Sequence, residues 1–359
     1  MRCRGENMLG LFIFSLAGSV IFTRLFMFVA HKFRVYDYPE KRKIHSKPMP
    51  LLGGLAVYVS FVAALLLNFH FSWELKGMIV ASSFVMISGL LDDINDLSAS
   101  GRLIIQILCS LLVIAFGVRL KLVTDAFPYG AFIDGAITVL WIVGITNAIN
   151  FLDGLDGLAA GLSLIISTTF FIIAYQTGQT YFAFLNIALA GACLGFLFYN
   201  FKPAKIFLGD AGSSFLGFSL AVLAVMGEWS ADRPVVAFSI PLLVLAIPIF
   251  DVIYISVSRI AQGKVRSFRE WIEYVGKDHL HHRLMGLGFT ETQTVFIIYL
   301  INIVFALGVL VLKKADTTQA LLLVAQGTFI LVLITLLMIA GRGHLEKMEK
   351  SDGAKDLVS

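Results

Sequence analysis

Three aspartates fall within five residues at Asp92-Asp93-Ile94-Asn95-Asp96, where an apolar run ends. Adjacent carboxylates repel and are costly near a membrane, so a positive group should compensate them, and a hard cation such as Mg2+ suits oxygen donors. A solvated helix end is the plain alternative. A second run, Asn147-Ala-Ile-Asn150-Phe-Leu-Asp153-Gly-Leu-Asp156-Gly, repeats oxygen-bearing side chains every third residue. On an unbroken α-helix each step of three turns about 300°, so the four could not face one ligand. Gly154 and Gly157 allow the backbone to break and re-aim them. An Asx-rich turn explains the glycines but not two asparagines still inside apolar sequence. In Phe207-Leu-Gly-Asp210-Ala-Gly-Ser213-Ser214 an acid sits in a small-residue turn before a helix, where Asp210 or Ser213 could equally serve as N-cap. Lys47-Pro-Met-Pro-Leu-Leu-Gly53-Gly54 leads into another apolar run, and the two glycine N–H groups could cradle a phosphate.

The run His279-Leu-His281-His282-Arg283 has two chemical readings. Zinc requires tetrahedral ligands, and Asp278 is the one further candidate nearby. A phosphate clamp needs only donors, and His279, His282 and Arg283 share a face of a continuous helix while His281 projects away from it. The clamp is the better fit.

The elements that must position these groups are apolar. Of 359 residues 58% are hydrophobic and 14% charged, where a soluble domain carries about 25% charged. That balance excludes disorder and an ordinary soluble enzyme, and a net charge of +4 is too small to imply a nucleic-acid partner. Cys3, Cys109 and Cys193 form no disulfide framework or metal spacing and read as apolar filler. Eleven apolar runs of helical length recur: 9–30, 51–69, 77–91, 103–118, 131–149, 158–175, 182–199, 214–226, 235–257, 295–312 and 320–340. The expected fold is therefore all-α, a polytopic integral membrane protein of about 11 transmembrane helices. With the N-terminus outside and the C-terminus cytoplasmic, 19 Lys+Arg fall on the inner side and 8 on the outer, as the positive-inside rule favours. The runs 77–91 and 214–226 are short, and this parity is what retains them. All the motif acids, amides and histidines then fall on the inner face, which points to one site there. Residues 1–341 read as a single transmembrane catalytic domain with active-site loops at 31–50, 92–102, 147–157, 200–213 and 259–294, followed by a cytoplasmic tail, 342–359. Phe268, Trp271, Ile272 and Val275 form a stripe expected on an amphipathic helix lying on the inner surface.

The motifs in this order, from about Arg42 to Arg283, resemble the polyprenyl-phosphate N-acetylhexosamine-1-phosphate transferase superfamily. The form of the His motif resembles the undecaprenyl-phosphate GlcNAc-1-phosphate transferase branch. The chain departs from it at Ser267-Phe268-Arg269-Glu270-Trp271, where the branch carries a Pro-containing stretch, a difference that bears on the donor and not on the reaction class. The resemblance implies transfer of a sugar 1-phosphate from a UDP-amino sugar to a polyprenyl phosphate lipid in the cytoplasmic (inner) membrane. It implies Mg2+, replaceable by Mn2+, held by Asp210 and Asn150, with Asp92 and Asp93 beside the acceptor phosphate and Asp153 and Asp156 at the nucleotide or the metal shell. Lys47, Asn147, His279, His281, His282 and Arg283 are the implied substrate-binding residues. A homodimer is left open. The rival readings are a phospho-muramoyl-pentapeptide transferase and a transporter or lipid flippase; a transporter would bind at mid-membrane through repeated broken helices.

Overall fold

The computed structural model describes residues 8–39, 47–67, 72–95, 97–123, 127–230, 233–274, 276, 278–312 and 316–356. Its helices are α1 (Met8–Phe33), α2 (Gly53–Leu66), α3 (Trp73–Asn95), α4 (Ala99–Ala115), α5 (Gly130–Leu152), α6 (Leu158–Thr177) and α7 (Thr180–Asn200). They continue as α8 (Gly209–Met226), α9 (Pro234–Val244), α10 (Ala246–Ala261), α11 (Phe268–Glu273), α12 (Leu280–Met285), α13 (Glu291–Val311) and α14 (Thr317–Asp356). Between α1 and α2, β1 (Tyr36–Asp37) pairs antiparallel with β2 (Met49–Pro50), Tyr36 opposite Pro50.

The fold is all-α, with apolar helices packed side by side. Among the described residues, eight helices are long and apolar enough to cross a membrane, nine if α9 and α10 form one bent span. The expected eleven also requires α2 and α4, which have 14 and 17 residues against the roughly 20 a bilayer needs. The runs that look short in sequence are not short helices: α3 has 23 residues and α8 has 18. Hydropathy stops at Asp92 and at Ser213, but the helix continues through those polar residues.

The run 235–257 is not one straight helix. It bends by 77° between α9 and α10. Pro248 has no N–H for the carbonyl of Val244 and its ring would clash there, so the helix breaks at Leu245. The Asn302 amide of α13 donates to that Val244 carbonyl at 3.1 Å. Two further expectations change. The surface helix ends at Glu273, after six residues, and Val275 lies outside the described residues. The tail expected from residue 342 continues α14 as helix to Asp356.

α8 forms the centre of the bundle, every residue from Ala211 to Ala224 being buried. α3, α5, α2 and α6 pack around it, and α1 lies outside against α7 and α2. The outer helices present large apolar side chains such as Leu9, Phe28, Leu322 and Phe329, the surface that a lipid environment requires. Local signals set the helix ends: Ser98 caps α4 through Gly101 N–H, and Thr290 with Gln293 forms a capping box on α13.

Candidate active site

The ends of α3 and α5, the turn that follows α5, the start of α8 and the strand before α2 meet around a cavity of about 700 Å3. Among the described residues, its wall holds Lys47, Asp92, Asp93, Asn150, Asp153, Asp156, Asp210 and His282 of those singled out in the sequence. Asn147, His279, His281 and Arg283 are not in the wall, and Asp96 lies outside the described residues.

The start of α8 organises the carboxylates. Asp93 reaches across from α3, its Oδ1 accepting from the Asp210 N–H at 2.8 Å and its Oδ2 from the Ala211 N–H at 3.1 Å. The anion that satisfies this helix N-terminus therefore comes from another helix, and neither Asp210 nor Ser213 is the cap. Asp210, in the first turn, is left to face the cavity, its side chain 36% exposed. The Asn150 amide donates to Asp210 Oδ1 at 2.5 Å and to Ser213 Oγ at 2.8 Å.

Asp92 is almost buried and accepts from the Leu97 N–H at 2.7 Å and from Arg102 Nη1 at 2.5 Å. Arg102 Nη1 is also 3.6 Å from Asp210 Oδ1. Part of the positive charge that the aspartate cluster requires is thus supplied by the chain itself. The Asn147 amide, one step of three before Asn150, turns to α4 and donates to Gln106 Oε1 at 2.6 Å. That separation is what helical spacing dictates.

After α5 the chain turns through Asp153 and enters α6 at Gly157, whose φ of +79° favours glycine. Burial first, then the charges of Asp210 and Asp156, push the Asp153 carboxyl up to about 8. Asp156 accepts from the Ala204 N–H at 3.0 Å, and Asn200 accepts from the Gly157 N–H at 3.1 Å, so the segment before α8 is tied to this turn. Gly154 is glycine for a different reason: a Cβ there would overlap the His281 imidazole.

The glycine pair before α2 does not offer a phosphate cradle. Gly53 N–H and Gly54 N–H donate to the carbonyls of Phe207 and Leu208 at 3.1 and 2.9 Å. A Cβ on Gly53 would overlap Phe207, and one on Gly54 would overlap Gly212. These glycines admit a close backbone approach that seats the start of α8.

The histidine segment also departs from expectation. α12 begins at Leu280, so His279 stands before the helix and shares no face with His282 and Arg283. His279 Nδ1 lies 2.7 Å from Asp251 Oδ2, and the Leu280 N–H donates to Asp251 Oδ1 at 2.6 Å. Arg283 turns back to the Asp278 carbonyl at 2.6 Å and to Ser258 Oγ at 3.1 Å, over the Tyr254 ring. Arg259 makes two bonds to the Asp278 carboxylate at 2.8 and 2.7 Å. Burial would raise that carboxyl, but the Arg259 hydrogen bonds and charge outweigh it and hold it low. His281 does not project into solvent: it is 1% exposed, neither ring nitrogen has a partner among the described residues, and burial, then the charges of His282 and His279, hold its pKa well below the usual histidine value. Only His282 reaches the cavity wall, so the clamp of three donors does not form.

Among the described residues no group of three or more His, Cys, Asp or Glu is placed to hold a metal ion by itself. The acid-lined wall therefore fits a cation that takes one or two protein oxygens and completes its shell with water and phosphate, as Mg2+ does, better than a closed zinc site. Asp210 with Asn150 is the pair open to that role. Several wall or supporting groups went unmarked in sequence: Arg102, Asn200, Asp251, and the ion pair of Lys202 with Glu291. Asp251 did carry a signal, as an ionisable residue inside an apolar run.

The sequence profile described as Glycosyl transferase family 4 matches residues 75–228. A probable undecaprenyl-phosphate N-acetylglucosaminyl 1-phosphate transferase of Bacillus subtilis is 38% identical over 330 residues, covering 90% of this chain and 88% of the relative. A decaprenyl-phosphate N-acetylglucosaminephosphotransferase of Mycolicibacterium smegmatis is 31% identical, covering 88% of this chain and 84% of the relative. An undecaprenyl-phosphate alpha-N-acetylglucosaminyl 1-phosphate transferase of Escherichia coli is 29% identical, with 81% of each chain covered.

Proposed function

The chain belongs to glycosyl transferase family 4, and on that premise we propose how its site works. It is an integral membrane transferase that moves N-acetylglucosamine 1-phosphate onto a polyprenyl phosphate, in the branch of the undecaprenyl-phosphate enzymes. The donor is UDP-N-acetylglucosamine. An acceptor phosphate oxygen attacks the sugar-bearing phosphorus, the bond to the uridylyl phosphate oxygen breaks, and UMP leaves with that bond's electron pair. The observation that carries this reading is the cavity itself, in which Asp92, Asp93, Asp153, Asp156 and Asp210 surround one space at the end of the bundle.

Two anionic groups must meet in the transition state, so neutralisation and positioning dominate. Asp210 and Asn150 would hold Mg2+, which supplies charge neutralisation to the diphosphate. Asp93 fixes Asp210 by holding the backbone N–H of its helical turn. Arg102, bonded to Asp92 and close to Asp210, keeps the acceptor side from being uniformly negative. A phosphate monoester with a second pKa of about 6 is already largely dianionic at neutral pH, so Asp92 and Asp93 act less as bases than through what they hold, Asp92 the Arg102 guanidinium and Asp93 the start of α8. Asp153 and Asp156 face the nucleotide side, His282 and Lys47 contribute donors at the wall, and Asn147 ties α5 to α4 through Gln106. His281 and Arg283 support His282 from behind the wall, and His279 stands at its edge beside Phe151.

Residues 1–341 act as one catalytic domain. Eleven spans, with α2 and α4 counted and α9 with α10 as one, place the N-terminus outside and the cavity on the cytoplasmic face of the inner membrane. Reporter fusions after Gln176 should then read outside and after Lys202 inside. The decisive assay is release of UMP from UDP-N-acetylglucosamine by purified protein, dependent on polyprenyl phosphate and abolished by EDTA. UMP release without the lipid, or none with it, removes the reading.

A further inference from the structure

A buried ionisable pair that the proposed chemistry leaves unused is Asp251 with His279. Asp251 is 0% exposed on α10, in an apolar helix where an ionised carboxylate is costly unless fully partnered. Both of its oxygens are engaged: Oδ1 accepts the Leu280 N–H at 2.6 Å and Oδ2 faces His279 Nδ1 at 2.7 Å. A carboxylate can only accept, so His279 Nδ1 carries a proton and donates it. The remaining ring nitrogen, Nε2, has no bond among the described residues. The ring lies 5.2 Å from Phe151, which directly follows Asn150 and stands two residues before Asp153, both in the cavity wall.

We propose that Asp251 is a positioning residue of the transferase reaction: it fixes the tautomer of His279 so that Nε2 is the nitrogen left for proton or hydrogen-bond exchange with the phosphate or sugar at the cavity rim. The same carboxylate anchors the first turn of α12 and so places His282 in the wall. The inference rests on the proposed function for its kinetic consequence but not for its chemical one. This is the logic of an acid behind an imidazole, where the acid orients and selects the tautomer without itself giving up or taking a proton.

Asp251→Asn separates this role from a structural one. The amide oxygen still accepts from Leu280, which holds α12, while the amide NH2 now faces His279 Nδ1 and forces the proton to Nε2. In 15N-histidine spectra of the detergent-purified protein, with His279 assigned from its loss in His279→Gln, the wild type should show protonated Nδ1 and Asp251→Asn protonated Nε2. The variant should retain the wild-type melting temperature and lose about 10–100-fold in kcat, the scale on which such outer partners act, with little change in donor KM. In a His279→Gln background, Asp251→Asn should cost nothing further. An unchanged tautomer, or an equal loss in the His279→Gln background, overturns the inference. If the wild type releases no UMP, the proposed function fails, and the spectra still decide the role of Asp251.

Discussion

Two sides of the cavity are held in opposite ways. On one, Asp93, Asn150 and Asp210 are locked to one another across α3, α5 and α8, each by direct hydrogen bonds within or to the first turn of α8. On the other, the histidine segment is a six-residue helix that owes its place to Asp251, and to the chain from Arg259 through Asp278 to Arg283. The first side is set by packing of long helices, so its geometry persists when one side chain changes. The second is set by buried polar bonds between short segments, where one lost partner leaves an unsatisfied group.

The largest expected effect breaks the chemistry of the first side without moving it. Asp210→Asn keeps the backbone N–H groups that Asp93 accepts from, so the protein should fold with an unchanged melting temperature. Its activity should fall by at least about 100-fold, more than an outer-shell substitution costs. Activity near wild type at saturating Mg2+ would remove Asp210 as the metal ligand.

Next comes the seam between the two sides. Gly154→Ala puts a methyl where the His281 ring lies, and His281 is buried with little room to move. Overpacking of this kind costs about 1–3 kcal/mol, so the melting temperature should drop measurably and activity should fall with it as His282 shifts. A neutral result would show that the histidine segment gives way freely.

A different test concerns pH. The Asp153 carboxyl, ordinarily at 3.8, is raised to about 8, so between those values the folded protein holds a proton that the unfolded chain has released. Stability in EDTA should therefore decline as pH rises from about 4 to 8, and Asp153→Asn should flatten that slope. A melting temperature that rises across this window would contradict the burial argument. The smallest effect is expected at the rim: Lys202→Met breaks the half-exposed pair with Glu291 and should cost about 1 kcal/mol or less, with activity within about twofold.

The first side was largely legible in sequence and the second was not. Asp92, Asp93, Asn150, Asp153, Asp156 and Asp210 announce themselves because acids and amides at the ends of apolar runs are expensive, and all six line the cavity. Helical periodicity also warned that Asn147 and Asn150 would part, as they do. The arrangement of the histidines could not be read, since it depends on where α12 begins and on a carboxylate 28 residues away. A helical wheel drawn through His279 assigned faces to a residue that is not helical. The glycines misled in the same way: Gly53 and Gly54 carry free-looking N–H groups in sequence, and only the path of Phe207 and Leu208 shows where those bonds go. The bend at Leu245 was within reach, because Pro241 and Pro248 bracket it, but hydropathy averages over such breaks.

The close approach of glycines to the start of α8 bears on how enzymes of this kind can diversify. Gly54, Gly89 and Gly212 bring three backbones so near that a single added methyl on any of them would overlap a neighbour. Asp210 thus rides on a part of the molecule with little room for added side chains, and substitutions there cannot widen the site by small steps. Variation is left to the other side, where loops between α10 and α13 can lengthen, shorten or exchange residues without disturbing the bundle. One end of the cavity is thus built without space for added side chains, and the other from short segments that have it.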